Sequence, residues 1–82
     1  MNTVAEVWWL DAHVSTSDMS IKKAERQKPV RTITVAYLVA ENEHGVVLAT
    51  DIYPDDAKNV KIVNFIPWGI ITDYYTYEDQ DT

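Results

Sequence analysis

The chain has no cysteine, two glycines, two histidines and seven basic residues among its 82. Each scarcity closes off a class of function. Without cysteine there is no disulfide framework and no thiolate metal site, and the composition fits a reducing compartment. Two glycines, Gly45 and Gly69, do not make a phosphate-cradling loop. His13 and His44 enter no Ser-His-Asp arrangement that spacing can support. Seven basic residues against thirteen acidic give a net charge of −6, which disfavours duplex nucleic acid as a partner. No segment approaches the roughly 20 apolar residues of a membrane span. The opening MNTVAEVWW lacks the basic flank and apolar run of a signal peptide. The expectation is a soluble cytoplasmic protein that is not an enzyme and holds no cofactor and no metal.

What is present is β-forming sequence. Val30–Glu41, VRTITVAYLVAE, is dense in β-branched and aromatic residues and has no glycine or proline. Ile33, Val35, Tyr37 and Val39 share one face; Thr32, Thr34, Ala36 and Leu38 share the other. A strand wetted on one side alternates apolar and polar, and this one does not. Both faces are therefore expected to be covered, one by the core and the other by a helix, a second chain or a ligand. At 82 residues a single core is marginal, so self-association is the natural supplement once disulfides and metals are gone.

The remaining elements follow from the same rules. Val4–Val14 reads as the first strand, with Val4, Trp8 and Leu10 pointing one way and Val7, Trp9, Asp11 and His13 the other. Ser15–Asp18 is a polar break in which Ser17 or Asp18 caps a short helix over Met19–Lys28, ended by Pro29. After the long second strand, Asn42–Gly45 is a turn. Val46–Tyr53 is strand three, Pro54-Asp55-Asp56 a turn, and Asn59–Ile66 strand four. Pro67-Trp68-Gly69 breaks the sheet before a last strand, Ile70–Tyr77. The predicted fold is mainly β: a small five-stranded SH3-like or Sm-like barrel with one short helix after the first strand. Residues 1–77 form the single β-barrel domain, and 78–82 a mobile acidic tail.

The order of features resembles a group of small bacteriophage-encoded proteins. Their Val-x-Trp-x-Asp start is matched by Val7, Trp9 and Asp11. A strand of the type Thr-Val-Gly/Ala-Tyr-Leu-Val-x-Glu is matched by Thr34–Glu41, and a Val/Ile-x-Leu-Ala strand by Val46–Ala49. An Ile-Pro-x-Gly-x-Ile ending is matched by Ile66–Ile71. The resemblance spans Val7 to Ile71 but consists of core and turn residues. It implies a fold and an origin, with the host cytoplasm as the location, and it carries over no binding residue. Small phage proteins of this size often serve as accessory or counter-defence factors.

The residues themselves allow a binding site to be sketched. Lys22, Lys23, Arg26, Lys28 and Arg31 hold five of the seven basic residues. They are either a solvated helix face or an anion-binding patch. Trp8, Trp9, Tyr53, Trp68 and the tyrosines of the last strand exceed what a small core needs. Aromatics of this kind suit subunit interfaces and stack on nucleobases. The leading expectation is a homo-oligomer that sequesters a small anionic nucleotide, with Arg31, Lys23 and Arg26 on phosphate and Trp9, Tyr53 or Trp68 on a base. An acidic inhibitor that binds a host defence enzyme directly is the second reading, and an SH3-like peptide-binding module the third. Asp11 and His13, two apart, share a strand face and could form half a metal site or an acid–base pair, or simply be polar strand residues.

Overall fold

In the computed structural model, which describes residues 3–78, five antiparallel strands form one sheet in the order β4-β3-β2-β1-β5. The elements are β1 (Thr3–Asp11), α1 (Ile21–Glu25), β2 (Val30–Glu41), β3 (Gly45–Tyr53), β4 (Asp56–Pro67) and β5 (Ile71–Glu78), with a 3-10 turn at Trp68–Ile70 before the last strand. The second strand has the bounds its composition predicts. The helix is shorter than predicted. Ser20, rather than Ser17 or Asp18, caps it by accepting a hydrogen bond from the Lys23 amide, and no helix residue is buried. With nothing to pack against, five residues are all that local propensity sustains. β1 stops at Asp11, so His13 lies beyond the strand and its ring donates to the Lys28 carbonyl at 3.0 Å. β4 begins at Asp56, earlier than predicted, because that carboxylate organises the turn. It accepts from the Lys58 amide at 3.0 Å and the Asn59 side chain at 2.8 Å. Residues 79–82 of the predicted acidic tail lie outside the described residues.

The sheet bends sharply but does not close. β4 and β5 are its two edges, and no β4–β5 pairing occurs among the described residues, so the predicted barrel is an open, curled sheet. Register shifts between Trp8 and Trp9, between Leu38 and Ala40, and between Ile52 and Tyr53 supply the curvature. β2 changes partner along its length. Its residues Val30–Tyr37 pair with β1, and its residues Tyr37–Glu41 with β3.

The concave side holds the core: Ala5, Val7, Ala36, Val46, Leu48 and Ile66, with Trp9, Leu38, Ile70, Ile71 and Tyr74 packed against it. The strand pairing puts Thr32, Thr34 and Ala36 on this side, opposite Trp9, Val7 and Ala5. The bulkier face of β2 is therefore the outer one. Ile33 is 50% exposed and Val35 62%, so of the three expected covers for the second face the chain's own helix is not the one. The physical reason for the bulkier face lying outside is curvature. The inside of a tightly bent sheet has room for alanine and threonine, while the convex side accepts branched and aromatic side chains. Across it runs a five-strand apolar row, Val63–Ala49–Tyr37–Val4–Tyr77.

Candidate functional site: an aromatic convex face and the cavity beside it

The adjacent tryptophans split, as alternation demands. Trp9 turns into the concave side, and its indole donates to the Thr34 hydroxyl at 2.9 Å. Trp8 turns outward, where its indole donates to Glu6 at 2.6 Å. The other Glu6 oxygen accepts from the Tyr77 hydroxyl at 3.2 Å. That bond raises the Tyr77 phenol above its usual range, since ionisation would set two anions side by side. The Arg31 guanidinium lies 5.6 Å from the centre of the Trp8 ring, within cation–π range. Trp8, Tyr37, Tyr75 and Tyr77 thus make an aromatic outer surface, with Arg31 as its cation and Glu6 and Asp73 as its carboxylates.

Beside this face, at the end of β1, is a cavity of about 590 Å³. Leu10, Ala12, Met19, Pro29 and Ile70 supply its apolar walls, and His13, Gln27 and Lys28 its polar groups. Leu10 joins the two features: it lines the cavity and is the cross-strand partner of Arg31. Directly opposed residues share a face with Cβ atoms about 5 Å apart, so Arg31 stands next to the cavity wall. The volume falls in the range of small-ligand sites, about 300–1000 Å³.

The six residues singled out by sequence do not form one constellation. Lys23 and Arg26 are exposed on and just after α1. Tyr53 and Trp68 lie at opposite ends of β3. Tyr53 closes that strand, whereas Trp68 is held at its start by hydrogen bonds that its indole donates to the Asn42 carbonyl at 2.7 Å and its backbone N–H donates to the His44 carbonyl at 3.2 Å. Trp68 also meets Tyr74 edge to face at 5.6 Å. Trp9 is occupied with the core. None of the six lines the cavity; Arg31 alone joins the aromatic face, over Trp8, and its cross-strand partner Leu10 is a cavity wall. Sequence reading missed Trp8 as Arg31's partner and Lys28 as a cavity residue; adjacency of Trp8 to a core tryptophan was the available signal for the first. β1 ends at Asp11, so Asp11 and His13 do not share a strand face, and no group of three metal-ligating side chains occurs among the described residues.

Fold and site together define a small, open antiparallel β protein with an apolar, aromatic convex surface. Comparison with known proteins found no matching family model, no matching curated protein and no matching solved structure. Among the described residues no helix is long and apolar enough to cross a membrane.

Proposed function

We propose that this is a non-catalytic binding protein that works as a homo-oligomer and captures a small planar anion of the nucleotide class. The observation that carries the reading is the Arg31–Trp8 pair, linked through Leu10, the cross-strand partner of Arg31, to the cavity at the end of β1. A nucleotide needs an apolar or aromatic surface for its base and fixed cations for its phosphate. The cavity walls and Trp8 supply the first, and Arg31 and Lys28 the second. Lys23 and Arg26 add long-range attraction from α1 rather than contacts. The uncovered convex face supports self-association, because seven buried apolar residues among those described, three of them alanine, make a small core for a domain of this size. The strand order and the 3-10 turn before the last strand favour kinship with SH3-like and Sm-like barrels. With the pattern of core and turn residues, they support a phage accessory protein acting against host defence in the host cytoplasm. The rival is an inhibitor that presents carboxylates to a host enzyme, for which the net charge of −6 speaks.

Titration of the purified protein with a panel of cyclic nucleotides and ADP-ribose derivatives, followed by heat and tryptophan fluorescence, separates the two. Binding, recovery of the unaltered ligand after denaturation, and about a tenfold loss in Arg31→Ala and Lys28→Ala support capture. No binding across the panel, with specific retention of a host enzyme on the tagged protein, supports the inhibitor.

A further inference from the structure

Beyond Ala49 the sheet narrows to two strands. β2–β3 pairing ends at Tyr37–Ala49, while β3–β4 pairing continues through Asp51–Lys61 and Ile52–Val60 to Tyr53–Asp56. This β3–β4 ribbon has no third strand among the described residues. A lone two-stranded ribbon is marginal in water. Yet it carries Ile52, Tyr53, Val60 and Ile62, and with the β2 bulge at Leu38 and Val39 it encloses an apolar groove of about 540 Å³. At its root, between the Ala49–Val63 and Asp51–Lys61 pairs, Ile62 has a φ of 58° and is 55% exposed. A β-branched residue in the left-handed region is strained, and here the strain coincides with the point where the ribbon leaves the sheet.

We infer that the ribbon is a dimerisation arm whose occupant is the same arm of a second copy, the two grooves facing each other and the Tyr53–Pro54 tips that line them packing across the contact. Area is the first argument. The accessible surface is 6525 Å², whereas a compact monomer of 9.4 kDa has about 5000 Å². The excess is more than the ~800 Å² per partner of a stable interface. Shape agrees, with extents of 56 × 22 × 22 Å and a radius of gyration of 16.5 Å against about 12 Å for a compact chain of this length. Charge is the second argument. Two chains of net charge −6 repel, but the arm sets Lys58 and Lys61 against Asp51, Asp55 and Asp56, so two arms carry little of that charge and each offers both signs to the other. A surface that must cover itself gives a two-fold, self-complementary contact. The inference rests on the self-association proposed above and not on its ligand.

The test is light-scattering mass with hydrogen exchange on the full chain, from low to high micromolar. A mass of twice 9.4 kDa at high concentration, with concentration-dependent protection of the amides over residues 50–63, is expected. Tyr53→Ser and Ile62→Asn should each weaken dimerisation at least tenfold. Asparagine tolerates the left-handed backbone, so Ile62→Asn should leave the monomer as stable as wild type or more so. Circular dichroism checks folding of both variants, and the exchange measurement on the unmodified chain needs neither. A monomeric mass throughout overturns the inference together with self-association. A dimer whose arm amides stay unprotected, or which both folded variants leave intact, overturns the arm alone. In either case nucleotide titration still judges the ligand independently.

Discussion

The Tyr74 hydroxyl donates to the Glu41 carboxylate at 2.5 Å, joining residues 33 positions apart on strands that are not neighbours in the sheet. Tyr74 sits on β5 opposite Val7, and Glu41 is the last residue of β2. With β1 lying between β5 and β2, the two side chains meet only because the sheet curls. The bond is therefore a direct reporter of its curvature.

It also titrates. Burial, then the hydrogen bond and charge of Glu41, raise the Tyr74 phenol above its ordinary value near 10. A group whose proton is held more tightly in the folded state adds stability that is complete below about pH 10 and is lost as pH rises toward the folded value. Alkaline denaturation should steepen above about pH 10, and Tyr74→Phe should flatten that slope while costing about 1 kcal/mol at neutral pH. Chemical denaturation across the alkaline range checks both. A slope unchanged in Tyr74→Phe would show that other tyrosines carry it.

The two glycines should respond very unequally to alanine. A Cβ on Gly45 would strike the Ile66 carbonyl oxygen and lie 2.8 Å from the Pro67 Cα, backbone that the β3–β4 ladder holds in place. A Cβ on Gly69 meets nothing within 4 Å. Gly45→Ala should destabilise by about 1–3 kcal/mol and Gly69→Ala by less than about 0.5 kcal/mol. Their thermal midpoints, measured side by side, test the packing of the β2–β3 turn against the end of β4.

Trp9 and Trp8 should likewise separate. Trp9→Ala removes a side chain packed against the core and should cost about 3 kcal/mol. Trp8→Ala should cost about 1 kcal/mol or less in stability while abolishing any nucleotide-induced change in fluorescence. Equal stability losses would mean that the convex face is covered in solution, and a concentration series would then show by what.

The arm turn should be acid-sensitive. The Asn59 side chain first, and the Lys58 amide second, hold the Asp56 carboxyl below its usual range. Its contribution is present above about pH 4 and is lost as pH falls through the lowered value. Amides near the turn should exchange faster at low pH than intrinsic chemistry predicts, and Asp56→Asn should show that faster exchange already at neutral pH.

Much of the strand plan is local and therefore legible. Val30–Glu41 is a strand because β-branched and aromatic residues fill it without interruption, and its bounds are those read from composition. The breaks at Asn42–Gly45, Pro54–Asp56 and Pro67–Gly69 follow from backbone chemistry that neighbours do not override. The Asn42 side chain accepts from the His44 amide at 2.8 Å and the Gly45 amide at 3.2 Å, which is what a turn asparagine does.

Which face of each strand turns inward was a tertiary decision. Period-two alternation identifies two faces but not the inner one when both are apolar, and on β2 curvature put the smaller residues Thr32, Thr34 and Ala36 inside. For the same reason Trp8 and Trp9 were interchangeable in sequence and are not in the structure. The pairing of β1 with β5, Thr3 with Glu78, joins the ends of the described chain through contacts that no local window contains. The open edges and the unsupported arm depend on where pairing stops, and that is set by bulges and one left-handed isoleucine, not by composition. Residue types determined that this chain makes five strands; the bend of the sheet decided which surface it offers to a partner.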